Sequence, residues 1–79
     1  MEYDVQKADE LALALLYLNL GSDKWGVRAW KSIPWKIMDR LHEQGLIGNP
    51  ASKAKSVIVT EEGERRAREM FERYLQPRA

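Results

Sequence analysis

The sequence predicts an α+β domain that is mostly helical, and three observations predict it. Residues 34–44 carry apolar positions at helical spacing and run into Gly45. Two short apolar runs, Leu46-Ile47 and Ser56 to Val59, flank a Gly48-Asn49-Pro50 turn and a small polar loop, Ala51 to Lys55, that contains lysines. Thr60, followed by Glu61 and Glu62, then has the chemistry of a helix start. Helix, strand, loop, strand and helix in this order make the second half of a winged helix. The expected architecture is a trimmed helix-turn-helix, a two-stranded β-wing and a C-terminal helix in one domain, 1–79.

Each element has its own justification. The first helix is expected over residues 4–20. Asp4 serves as the N-cap, and Val5, Ala8, Leu11, Ala12, Leu15 and Leu18 form one apolar side at spacings of three and four. Leu13, Leu16, Tyr17 and Leu20 widen the stripe beyond what one core face needs. A helix apolar over most of its circumference is buried on two sides. These four residues are therefore the expected protein interface, against the last helix or in a homodimer through helix 4–20. Gly21 is expected to end the helix as a left-handed cap.

Residues 22–33 are expected to be irregular or a short helix, with an extended segment packing Trp25 and Trp30 as the other option, because Gly26 interrupts them. Helix 34–44 opens on Pro34, where the missing N–H costs nothing. It buries Pro34, Ile37, Met38 and Leu41, turns Trp35, Lys36, Asp39, Arg40 and Glu43 outward, and leaves His42 near the boundary. A β-hairpin over 46–59 follows. Helix 61–75 has an apolar stripe of Ala67, Met70, Phe71 and Tyr74 and oppositely charged neighbours on its wet side, and Pro77 ends it.

Composition narrows the function classes. A chain of 79 residues buries only about 60% of its unfolded surface, so its core is small. With no cysteine, neither a disulfide nor a thiolate metal site supplements it. The opening residues MEYDVQKADE lack a signal-peptide layout, and the apolar run Leu11 to Leu20 is about half a membrane span. The expectation is a soluble, cytoplasmic protein with no membrane association.

The net charge of +1 is unevenly distributed. Residues 1–23 carry Glu2, Asp4, Asp9, Glu10 and Asp23 against Lys7 alone. Residues 24–55 carry Lys24, Arg28, Lys31, Lys36, Arg40, Lys53 and Lys55 against Asp39 and Glu43, and residues 56–79 balance. Positive charge thus gathers on the segment holding the candidate recognition helix and wing, where nucleic-acid binding needs it.

Chemistry finds little to work with. The single histidine, His42, stands three residues from Asp39 and four from Met38, but no second cluster completes a metal site. Glu61-Glu62 is explained by charge–dipole complementarity at a helix start. Gly63 reads as a close-packing point against the wing strands. The chain is expected to be no enzyme, with no catalytic residue, no metal, no cofactor and no small-molecule ligand.

The stretch Leu41-His42-Glu43-Gln44-Gly45-Leu46-Ile47, followed by Val59-Thr60-Glu61-Glu62-Gly63, resembles the signature of winged-helix regulators of the MarR and PadR type. The combination of RAWK, then WKIMDRLHEQGLI, then SKAKSV and TEEG looks like a family of small bacterial proteins of unknown function, over nearly the whole chain. The first resemblance implies that Trp35, Lys36, Asp39, Arg40 and Glu43 form the recognition surface and that Ser52, Lys53 and Lys55 belong to the wing.

Two functions are in view. A small transcriptional regulator, acting as a dimer on double-stranded DNA, would use Arg28, Lys31, Trp35, Lys36, Arg40, Lys53 and Lys55, with phosphate contacts supplying most of the affinity. The alternative is a protein-interaction module that keeps the winged-helix frame as a scaffold. The regulator is the expectation, because the fold is so often used that way, while Asp39 and Glu43 count towards the alternative, since a groove-reading helix more often presents Arg, Asn, Gln or Ser.

Overall fold

In a computed structural model, residues 2–23, 26–31, 33–51 and 55–76 are described. Their element order is α1 (Val5–Leu18), β1 (Gly21–Asp23), β2 (Gly26–Trp30), α2 (Trp35–Glu43), β3 (Ser56–Ile58) and α3 (Glu61–Tyr74). The fold is α+β and mostly helical, in keeping with a small winged-helix-like arrangement.

The three helix starts and stops follow local chemistry. Asp4 caps α1, its carboxylate accepting the Lys7 amide at 3.0 Å. Thr60 caps α3, its hydroxyl accepting the Gly63 amide at 2.9 Å. Pro34 stands at the N-cap of α2, and its carbonyl accepts the amides of Ile37 and Met38. At the other end of α2, Gly45 adopts φ 76, the Leu46 amide reaches back to the Leu41 carbonyl, and the Gly45 amide reaches the His42 carbonyl. This pair of bonds is a Schellman stop, with Leu41 and Leu46 both buried beside it.

The segment expected to be irregular or briefly helical is instead a β-hairpin. β1 pairs antiparallel with β2, Gly21 opposite Arg28, and β2 pairs antiparallel with β3, Arg28 opposite Ile58 and Ala29 opposite Val57. The sheet order is β1-β2-β3. The extended option for Trp30 and its neighbours is thus the one realised in the backbone. The helix that precedes the recognition helix in a helix-turn-helix is replaced by strands among the described residues. Gly21 is not a left-handed cap: α1 ends on Asn19, and Gly26 and Gly45 are the described glycines with positive φ.

The expected two-stranded wing is correspondingly altered. β3 takes β2 as its main partner, and the arm at 46–48 joins the other side through one bridge, Ile47 opposite Val59. Gly48 donates to the Ile58 carbonyl at 2.8 Å, and the Thr60 amide donates to the Leu46 carbonyl at 3.1 Å. Asn49 Oδ1 accepts the Ala51 amide at 2.9 Å, the side-chain turn that such a Gly-Asn-Pro stretch favours.

One core lies between the sheet and the helices. It contains Leu13, Ala14 and Leu16 from α1, Met38 and Leu41 from α2, Leu46 and Ile47 from the arm, Ala29, Val57 and Val59 from the sheet, and Ala67 and Met70 from α3. The side of α1 expected against the last helix or a second copy does meet the last helix, with the Tyr17 and Phe71 ring centroids 4.9 Å apart, but it is also the core face, and of the side expected to be the core only Ala12 is buried. Leu13 and Leu16, expected to be the second surface, are 2% and 1% exposed, and Tyr17 and Leu20 pack against the core. Leu11, Leu15 and Leu18, expected in the core, are 42%, 51% and 60% exposed. Pro34, expected to be buried with the α2 core face, is exposed.

Candidate interaction surface

α2 presents its outward face because Met38 and Leu41 turn the opposite face into the core, with Ile37 half-buried at its border. Trp35, Lys36, Asp39, His42 and Glu43 are all exposed on it. Trp35 is 59% exposed at the first position of the helix, an unusual place for so large an apolar ring. A tryptophan, a lysine and two carboxylates make a face of mixed charge.

Arg40 is not part of that face. Its guanidinium forks onto the Asp9 carboxylate, with Nε at 2.9 Å from Oδ2 and Nη2 at 2.8 Å from Oδ1. Asp9 is 8% exposed and sits on the inward side of α1, four residues before Leu13. The Asp9 hydrogen bonds hold the Arg40 guanidinium above its ordinary proton affinity, and the fork fixes α1 against α2. A phosphate would have to displace a carboxylate already held in a fork.

Arg28 is similarly engaged. Its Nε donates to Ser56 Oγ at 2.8 Å and its Nη2 to the Ser56 carbonyl at 3.0 Å, bracing β2 against β3. Lys31 is half-buried and has a partner within the fold. Of the cations expected to meet DNA, Lys36 and Lys55 are exposed. Lys53 lies outside the described residues, as do Ser52, Trp25 and the side chain of Trp30.

The sequence reading missed the Arg28–Ser56 contact and two polar ties from α1 to the other helices. The Asp9–Arg40 fork is one. The other is Glu10 Oε1, which accepts the Tyr74 hydroxyl at 2.6 Å and ties α1 to the far end of α3. The Tyr74 hydroxyl, aided by Gln6, keeps the Glu10 carboxyl below its ordinary range, and Glu10 in turn pushes the Tyr74 phenol up. A signal was present in both cases. Asp9 is in helical phase with Leu13 and Leu16, and Glu10 with Ala14 and Tyr17, so each acid falls on a covered side of α1.

Arg73 reaches the same Glu10 Oε1 at 3.5 Å, and the remaining ion pairs among the described residues are exposed ones within α3: Arg65 with Glu62 and Glu69, and Arg68 with Glu72. They support the helix as neighbours three and four apart and are solvated on the outside. Among the described residues no group of three or more His, Cys, Asp or Glu side chains is placed to hold a metal ion. No described helix is long and apolar enough to cross a membrane.

Comparison with known proteins is consistent with one family over the whole fold. The chain is 48% identical over 73 residues to a protein of Sinorhizobium fredii (strain NBRC 101917 / NGR234) bearing the name "Uncharacterized protein y4hR", covering 92% of this chain and 95% of that one. No solved structure matches. The model of a family described as "Domain of unknown function (DUF6429)" matches residues 4–77, from the Asp4 cap past the end of α3, and the chain belongs to that family.

Proposed function

We propose that the chain is a protein-interaction module without catalytic activity, which uses a winged-helix-like frame as a scaffold and the outward face of α2 as its contact surface. The observation that carries this reading is Trp35, 59% exposed at the head of α2 beside Lys36 and Asp39. Tryptophan is the residue most often found at the energetic centre of an interface, and a rim of mixed charge suits a protein partner. Nucleic acid is less well served. Asp39 and Glu43 repel phosphate on the same face, and Arg28 and Arg40 are already bonded to Ser56 and Asp9.

Pull-down from a lysate of the source organism, with wild type and Trp35→Ala side by side, tests the reading. A partner retained by wild type and lost with Trp35→Ala is the expected result. Equal retention by both proteins would overturn the assignment to this face. The second reading, a small DNA-binding regulator, draws on the exposed Lys36 and Lys55. Anisotropy of a mixed duplex pool at low salt decides between the two. Binding that weakens steeply with salt and is abolished by Lys36→Ala with Lys55→Ala would replace the proposal with the regulator.

A further inference from the structure

A cleft of about 480 Å³ opens where the first half of α1 meets the end of α2 and the flank of α3. Val5 and the buried Leu13 give it an apolar wall, and Asp9, Glu10, Gln44 and Arg66 line it with polar groups. The acids around it are already satisfied by the fold. Both Asp9 oxygens accept from the Arg40 guanidinium. Glu10 Oε1 accepts from the Tyr74 hydroxyl and Arg73, and its Oε2 accepts from Gln6 Nε2 at 3.3 Å. Glu62 and Glu69, the acids nearest Arg66 along α3, are both bonded to Arg65. Arg66 is different. It is half-buried, and it is the arginine among the described residues that makes neither a hydrogen bond nor an ion pair. Glu10 and Glu62 feel its charge without touching it. From this unbonded guanidinium beside an apolar wall, we propose that the cleft binds a carboxylate carried on a short apolar chain.

The chemistry of the ligand follows from the groups that are left over. A guanidinium presents a planar fork of donors that matches the two oxygens of a carboxylate, and a pair of that kind is stronger where water is partly excluded. Gln44, at the C-cap of α2, adds a carboxamide that makes no hydrogen bond with the described residues. The charge of the surroundings sets a limit. Asp9, Glu10, Glu62 and Glu69 are bonded to arginines, yet they still repel a dianion more than a monoanion, and the cleft has no second unbonded arginine to offset a phosphate. Val5 is 43% exposed, so a hydrocarbon chain laid on it removes apolar surface from water. A free short-chain acid and a protein chain ending in an apolar residue carry the same chemistry. The residues involved are separate from the outward face of α2, so this site goes beyond the interaction reading and does not depend on it.

Amide NMR titration of the full, isotope-labelled chain tests the inference with four probes: isovalerate, N-acetylleucine, N-acetylleucinamide and inorganic phosphate. At least one of the two acids should shift the amides of Val5, Gln6, Gln44 and Arg66 and saturate with a Kd of about 1–10 mM. Saturation by both assigns the site to the free acid, and saturation by N-acetylleucine alone assigns it to a chain terminus. The uncharged N-acetylleucinamide should leave these amides unshifted. Arg66→Gln, with an unchanged far-UV circular dichroism spectrum, should weaken the acid about tenfold or more, and Val5→Ser should weaken it by a smaller factor. Three results overturn the proposal: neither acid saturating, Arg66→Gln binding the acid as wild type does, or the amide binding as well as the acid. Phosphate binding more tightly than either acid overturns the assignment to a carboxylate. Trp35→Ala should leave the titration unchanged.

Discussion

Adding a single methyl group at Gly63 should break the joint between α3 and the exit of α2. A Cβ built there lies 1.8 Å from the Leu46 carbonyl oxygen and 2.8 Å from its carbon, where ordinary contact begins at 3.4 Å. The obstacle is backbone and it is tied down. The Leu46 oxygen accepts the Thr60 amide at 3.1 Å, and the Thr60 hydroxyl lies 3.1 Å from it and 2.7 Å from the Gly45 oxygen. Moving it aside gives up two hydrogen bonds of about 1 kcal/mol each. Forcing the methyl into a packed joint costs a further ~1–3 kcal/mol. Alanine's better helix propensity returns about 1 kcal/mol. The net loss is about 2–4 kcal/mol, a large share of the ~4–12 kcal/mol that stabilises a domain of this size. At ~4–8 °C per kcal/mol, the melting temperature should fall by roughly 10–30 °C. Thermal melts followed by far-UV circular dichroism measure this, with Gly48→Ala as the control. The Gly48 Cβ would meet Ile58 Cβ at 3.6 Å, an ordinary contact, so its change should stay within about 0.5 kcal/mol. A Gly63→Ala protein that melts at or above wild type, or a Gly48→Ala protein that falls as far, refutes the close-approach reading.

The assignment of α1's faces is checked by a pair of truncations in urea at low protein concentration. Leu16→Ala should cost ~2–5 kcal/mol and Leu18→Ala less than about 1 kcal/mol, and equal costs would contradict the burial pattern. Thr60→Ala, which removes the α3 cap, should cost ~1–2 kcal/mol by the same measurement. Tyr74→Phe has a pH signature. The depressed Glu10 carboxyl makes its contribution fully above its ordinary value of 4.5 and loses it as pH falls through the lowered folded value. The raised Tyr74 phenol contributes fully below 10.0 and loses its part as pH rises through the raised folded value. The gap between wild-type and Tyr74→Phe melting temperatures should therefore be widest near neutrality and narrow toward both extremes; a gap constant from acid to alkaline pH would show that the Glu10 bond is not its source. A double-mutant cycle on Asp9→Ala and Arg40→Ala should give favourable coupling that survives high salt, and coupling indistinguishable from zero would show that the fork does not hold α1 to α2.

What could be read from the sequence was whatever depends on neighbours in the chain. Asp4, Thr60 and Gly45 act within three or four residues of themselves, and each does what its chemistry specifies. Gly63 as a close-packing point is also borne out. Helix 34–44 was legible because its apolar positions occupy one arc, so only one orientation buries them. α1 was not, because leucine and alanine occupy nearly its whole circumference and periodicity alone does not set a phase. Its orientation is set instead by Asp9 and Glu10, whose partners Arg40 and Tyr74 lie 31 and 64 residues away. The β1–β2 hairpin escaped for the same reason. Three- and five-residue strands are stabilised by β3, a partner some thirty residues further on, with Arg28 reaching across to Ser56. The same long-range contacts remove Arg28 and Arg40 from the candidate DNA surface, which local charge counting placed there.

The motif that makes the chain recognisable is therefore a statement about assembly. Gly45 lets α2 stop, the Leu46 oxygen receives Thr60, and the absent side chain of Gly63 lets α3 approach that oxygen. Leu46 and Gly63 are buried and Thr60 is half-buried, so the motif can be shared by proteins with unrelated partners. On the proposed reading, recognition lies in what the joint holds in place, Trp35, Lys36, Asp39 and Glu43 on α2, so Trp35→Ala would lower partner affinity without lowering the melting temperature, whereas Gly63→Ala would lower the melting temperature first.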